Sequence, residues 1–299
     1  MPSIQSYIVN AYLRWQKYKN RHKAFSVEGA RRRFDRIGRL IPLAPEVQRS
    51  ATGANGIRIE YFNPPKITQK HTLLYLHGGG YVVGSMRSYE GLLAQIALAT
   101  GGQVVAFEYA KAPERPFPSA LSESLLVYEW LLKQGKAPEE IVLMGDSAGG
   151  GLCLSLLQKL QEEKLPMPAR LVLIAPWADL TLQAPSITQK AKQDHIITRE
   201  YLDIVRRLYV PDLQMLEHPL VSPIYANFEG FPPTLIQVGT NDLLYDDSIQ
   251  LVEKMKTAGV AVDLEVWENM PHVWHVIGDR LPEAGKALQK IADFIRKMA

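Results

Sequence analysis

Residues 141–150 read IVLMGDSAGG, a short continuous apolar run that ends in a Gly-x-Ser-x-Gly turn and passes at once into the helical pattern LCLSLLQKL of 152–160. The position of the turn carries more information than its five letters. A serine between a buried strand and a helix sits in a strained backbone conformation, and glycines flank it because Cβ atoms there would collide with strand or helix. The hydroxyl of Ser147 is thereby lifted above the carboxyl edge of a sheet, beside a helix N-terminus that favours negative charge. Ser147 is the candidate nucleophile.

Outward from this turn, strand patterns fall at 56–62, 72–77, 103–109, 141–145, 170–176, 234–239 and 262–267. Helical patterns at about 88–99, 119–134, 148–163, 246–258 and 282–297 separate or close them. The alternation predicts an α/β fold, a mostly parallel central sheet flanked by helices. The last five strand patterns are near-continuously apolar, so burial on both faces is expected. The link between 56–62 and 72–77 is too short for a crossover helix, so this pair is expected to be antiparallel and the sheet mixed at one edge.

Two stretches fall outside the alternation. Ile8, Ala11, Tyr12, Trp15 and Tyr18 recur with the spacing of one helix face, and 181–222 holds a second helical piece around 199–209. We therefore expect an N-terminal helical cap segment at 1–45, a main domain at 46–299, and a cap insertion in it at about 181–222. The two stretches together would form a lid over one end of the sheet. The apolar stripe of the first helix is expected to be packed, in the lid or in an oligomer contact, rather than laid on an anionic membrane surface.

A serine hydroxyl near neutral pH needs a base within hydrogen-bond reach and an acid that orients the base. On this strand–turn–helix arrangement the chain order is Ser, then Asp or Glu, then His. His195, His218, His272 and His275 follow Ser147. Only His272 and His275 come after the last strand pattern, in ENMPHVWH, and His272 behind Pro271 is the candidate base. His275 is expected to start a helix or face solvent, and His195 and His218 to be structural. Asp242, in the turn GTND just past TLIQVG, is the candidate acid; Asp246 and Asp247 are read as caps or first-turn charges of the next helix. His77-Gly78-Gly79-Gly80 follows the strand pattern TLLYL, and its glycines let successive N–H groups face one spot. Gly78 and Gly79 N–H, with Ala148 N–H, are the candidate oxyanion donors, and His77 is expected to brace the loop.

The 299 residues carry a net charge of +3, too little to indicate a general nucleic-acid binder. The charge is uneven: residues 1–40 hold +8 and the remainder −5. A single cysteine, Cys153, forbids an intrachain disulfide and thiolate metal clusters, and suits a reducing compartment. With no signal-peptide pattern at the N-terminus and no apolar run near about 18 residues, a cytoplasmic location is expected and membrane association is not.

HGGG at 77–80, EYAKAPERPFPSAL at 108–121, GDSAGG at 145–150, APWADLT at 175–181, NDLLYDD at 241–247 and MPHV at 270–273 span essentially the whole chain. Together they resemble the hormone-sensitive-lipase-like branch (bacterial family IV) of the α/β-hydrolase carboxylesterases. The resemblance implies an α/β-hydrolase fold with a helical cap and an acyl-enzyme mechanism on Ser147, Asp242 and His272. It also implies an oxyanion hole from the HGGG loop and a preference for short acyl chains, with a small-molecule ester as substrate. No metal or organic cofactor is required, and a homodimer through the sheet edge is compatible with the family. Two departures bear on substrate range: Lys111 stands where the family commonly has Leu, and Leu243 where Pro commonly follows the acid. Amide, carbamate or lactone hydrolysis would use the same machinery. A non-catalytic small-molecule receptor is the rival from another class, although such a receptor typically sacrifices the base.

Overall fold

Along the strand Thr72–Leu76, Leu73 and Tyr75 join one apolar cluster while Leu74 and Leu76 join another. The same division parts Val142 and Met144 from Ile141 and Leu143, and Val172 and Ile174 from Leu171 and Leu173. Successive strand side chains point to opposite faces, so these strands must be covered on both sides. The structure of the chain, a computed structural model, describes residues 1–21, 24–38 and 42–297, and places two helical layers there. The parts of the 1–45 segment at 22–23 and 39–41 lie outside the described residues.

In chain order the elements are α1 (Ile4–Asn20), α2 (Val27–Gly38), β1 (Gln48–Ala54), β2 (Ile57–Asn63), β3 (Thr72–Leu76), α3 (Met86–Thr100) and β4 (Gln103–Phe107). They continue with α4 (Ser119–Lys133), β5 (Ile141–Asp146), α5 (Ala148–Glu162), β6 (Arg170–Ile174), α6 (Ser186–Gln189) and α7 (Arg199–Tyr209). The chain closes with β7 (Thr234–Gly239), α8 (Tyr245–Thr257), β8 (Val262–Trp267) and α9 (Pro282–Arg296). Residues of α3 and α9 fill the cluster on one face, and residues of α4, α5 and α8 the cluster on the other. α3 is bounded by a Ser85–Ser88 capping box and by Gly101 in the left-handed region.

The sheet order is β1-β2-β4-β3-β5-β6-β7-β8, parallel from β4 onward and antiparallel at β1 and β2. After β3 the chain builds β4 on one side and then β5 on the other. That reversal opens a crevice at the carboxyl ends of β3 and β5, where the HGGG loop and Ser147 begin.

Several expectations change. β1 is an additional strand, QRSATGA, almost wholly exposed on both faces. β2 runs opposite to β3 but does not pair with it; β4 lies between them. β8 is an edge strand with partly exposed residues rather than one buried on both faces. The apolar stripe of α1 is not packed: Ile8, Tyr12, Trp15 and Tyr18 are 63, 55, 52 and 63% exposed.

Candidate active site

Ser147 leaves β5 with φ 51° and ψ −123° and caps the start of α5. A non-glycine residue there costs on the order of 1–3 kcal/mol, held by the packing around the turn. Gly149 supplies the room, since a methyl group on it would meet the carbonyl oxygen of Leu76 at the end of β3. The elbow and the glycine loop therefore approach at backbone distance.

Asp242 follows β7 and His272 follows β8, so parallel neighbours deliver both to the edge that carries Ser147. His272 Nδ1 donates to Asp242 Oδ2 at 2.8 Å, and its Nε2 accepts from Ser147 Oγ at 2.9 Å. Asp242 Oδ1 accepts from Leu244 N at 2.8 Å, which fixes the carboxylate plane. All three side chains are buried. Burial by itself lowers the His272 pKa, but the charge and hydrogen bond of Asp242, with the Asp194 and Asp146 carboxylates beyond, hold it above the ordinary 6.5. The imidazole can thus take a proton from the hydroxyl and keep a compensated charge.

The other histidines stand apart from this line. His275 lies in the first turn of the 3-10 helix Trp274–Arg280, as a helix start, but is a core residue and not a solvent-facing one: its Nε2 donates to Gln237 Oε1 at 2.8 Å, and burial pushes its pKa down to about 3. His195 is half-buried and His218 exposed. Asp246 and Asp247 do lie in the first turn of α8, yet each reaches across the chain. Asp246 accepts from Ser186 N, and Asp247 from Ala178 N and Asp179 N.

The glycine loop corrects one expectation. Gly78 N donates to Asp146 Oδ1 at 2.9 Å and to Tyr89 Oη at 3.0 Å, so this amide is not free to face an oxyanion. Among the described residues, Gly79, Gly80 and Ala148 N–H have no protein acceptor. The amide free beside those of Gly79 and Ala148 is thus that of Gly80, not that of Gly78. Asp146, buried next to the serine, also accepts from Tyr75 Oη at 2.7 Å and Tyr89 Oη at 2.8 Å. Its identity was open to inspection in the sequence as the x of Gly-x-Ser; its partners were not. His77 stacks on Tyr109 at 4.2 Å and donates from Nδ1 to Gly78 O at 2.7 Å, and burial takes its pKa down to about 4. A neutral imidazole therefore braces the loop.

Helices from outside the sheet cover this loop. A methyl group on Gly80 would press on Val205 of α7, and Tyr81 stacks on Tyr209 at 3.7 Å. From α2, Arg31 donates to Val82 O at 2.9 Å and to Ala112 O at 3.0 Å. The stretches 1–45 and 181–222 touch: Lys17 Nζ donates to Asp194 O at 2.6 Å, and the Phe25 and Tyr201 rings meet edge to face at 5.9 Å. Asp194 is a buried carboxylate that sequence reading missed. It accepts from Ile196 N, Ile197 N and Leu243 N, and burial followed by the Asp242 charge pushes its pKa up to about 6.

Comparison with known proteins agrees with this geometry. The model of a family described as alpha/beta hydrolase fold matches residues 73–276. An acetyl-hydrolase of Streptomyces hygroscopicus is 39% identical over 225 residues, covering 75% of each chain. An esterase of Acinetobacter venetianus is 34% identical over 261 residues, covering 87% of this chain and 86% of that protein. Among solved structures, an esterase from the bacterial hormone-sensitive lipase family superposes with a TM-score of 0.94 at 36% identity, over 100% of this chain and 99% of the other.

Proposed function

The chain belongs to the hormone-sensitive-lipase-like α/β-hydrolase carboxylesterases, and from that premise we propose that it hydrolyses short-chain carboxylic esters through an acyl-enzyme on Ser147. The observation that carries the assignment is the continuous relay from Ser147 Oγ through His272 to Asp242, with contacts of 2.9 and 2.8 Å. His272 takes the hydroxyl proton as Ser147 attacks the ester carbonyl, and Asp242 stabilises the imidazolium that forms. The amides of Gly79, Gly80 and Ala148 receive the oxyanion; each such donor is worth about 100- to 1,000-fold in turnover. His272 then returns the proton to the departing alcohol. Water, activated by the same histidine, releases the acid. The acetyl-hydrolase relative supports the short acyl preference.

The same reading takes α1, α2 and 181–222 as a cap on a hydrolase domain at 46–299, supported by the contacts of α2 and α7 with the glycine loop. A cytoplasmic location is part of it, in keeping with the single buried thiol of Cys153. So is pairing of two copies along the β8 edge, where Val266 is exposed.

Steady-state hydrolysis of p-nitrophenyl esters of increasing acyl length tests the assignment. Acetate and butyrate should turn over fastest, and Ser147→Ala should fold yet lose about 10⁴-fold or more in kcat. Near wild-type turnover by the variant would remove the nucleophile.

A further inference from the structure

α1 is packed inside out. Its inward side is mostly polar: Ser6 is buried, Asn10 Nδ2 donates to Asn269 O at 2.8 Å, and Lys17 Nζ donates to Ala191 O at 3.0 Å and Asp194 O at 2.6 Å, with Val9 and Leu13 half-buried beside them. Its outward side carries Ile4, Tyr7, Ile8, Tyr12, Trp15 and Tyr18, every one more than half exposed. A surface helix of a globular protein ordinarily does the reverse. Scattered exposed apolar residues need no explanation, but Ile4, Ile8, Ala11 and Trp15 form one line along the helix, with tyrosines on both flanks.

Positive charge shares this face. Lys19 Nζ lies 5.0 Å from the centre of the Trp15 ring, and the Arg21 guanidinium 3.7 Å from that of Tyr18. Arg14 is exposed as well, and residues 1–21 contain no Asp or Glu. Tyrosine and tryptophan suit the boundary between headgroups and acyl chains, while Lys and Arg suit phosphate.

We propose that the outward face of α1 docks on the surface of a bilayer containing anionic phospholipid, the helix lying in the interface plane. Aromatic and aliphatic side chains enter the headgroup boundary, and Arg14, Lys19 and Arg21 meet the lipid phosphates. Among the described residues no helix is long and apolar enough to cross a membrane, so the mode is adsorption. A second copy is the alternative cover for an apolar face. A two-fold contact through α1, however, would set the same cations against one another with no acid on the helix to offset them. The inward contacts add a consequence: Asn269 lies three residues before His272, so docking would hold the loop that leads to the candidate base about 10 Å, one helix diameter, beneath the lipid surface.

Co-sedimentation of the full chain with vesicles tests this independently of any ester turnover. Two vesicle types are used, pure phosphatidylcholine and phosphatidylcholine with about 30% phosphatidylglycerol. The variants are Ile8→Asn/Trp15→Ser and Arg14→Gln/Lys19→Gln, each checked for wild-type thermal melting by circular dichroism. The wild type should sediment with the anionic vesicles only, and its partition should fall steeply as salt rises from about 50 to about 500 mM. The apolar pair should lose roughly tenfold or more in partition, and the charge pair about thirtyfold. Absence of wild-type binding, or binding indifferent to salt and to both variants, would overturn the proposal. So would a wild-type dimer that Ile8→Asn/Trp15→Ser converts to monomer in sedimentation equilibrium, since the face would then belong to a second copy.

Discussion

In the proposed mechanism one backbone turn and one hydrogen bond at Ser147 set the chemistry, and the titration of His272 is its most direct reporter. The base must be neutral to accept the Ser147 proton, and the Asp242 charge holds its pKa above 6.5 against the opposing effect of burial. The acid limb of kcat/KM for a soluble ester should therefore have its midpoint above 6.5. Asp242→Asn should move that midpoint down and cost about 10⁴-fold in kcat. A rate that is flat across the histidine range, or a midpoint unmoved by Asp242→Asn, would contradict the relay. The candidates Ser147, Asp242 and His272 could be picked out of the sequence because each stands at a punctuated end of a strand pattern, and chain order narrowed the rest. Gly78 was misread because nothing local says which of three consecutive amides is free. A carboxylate 68 residues away, Asp146, takes the first of them. Asp194 gave no signal, since its meaning lies in the Leu243 amide 49 residues later.

The elements of the sheet interior were read from apolar runs, and the misreadings cluster where a strand has only one neighbour. β1 is polar because both its faces meet solvent, so its pattern resembled a loop; β8 is apolar enough to imitate a core strand. α1 is the plainest case, because a helical period reveals a face without saying whether that face is covered. α2 was hidden by its own arginines, of which Arg31 turns out to clamp the loop behind the HGGG turn. Two carbonyl contacts and a bidentate pair with Glu114 at 2.8 and 2.7 Å converge on that guanidinium. The exposed ion pair contributes little, whereas the charged bonds to backbone carbonyls contribute more. Arg31→Ala should thus lower unfolding free energy by about 2 kcal/mol, read from urea denaturation, with a several-fold fall in kcat as the loop loosens. Unchanged stability and turnover would show that α2 does not support the loop.

Across the whole molecule, the order of strands does what no single motif could. The reversal at β3 sets the ends of β3 and β5 side by side, and β7 and β8 bring an acid and a base to the same edge. The alternation of strands and helices made this architecture readable, whereas the burial of the site beneath α2 and α7 depends on contacts between distant segments that have no sequence period. The molecule also separates its charge, with a basic, aromatic N-terminal end and an acidic remainder, so surface docking and ester chemistry can be probed apart. The central claim, that one serine hydroxyl among all those in the chain is activated, is tested most directly by a fluorophosphonate reagent followed by mass spectrometry. The intact protein should gain a single adduct that maps to Ser147 and is absent from Ser147→Ala and strongly slowed in His272→Ala. An adduct on another residue, or none on a protein that still hydrolyses esters, would contradict the account.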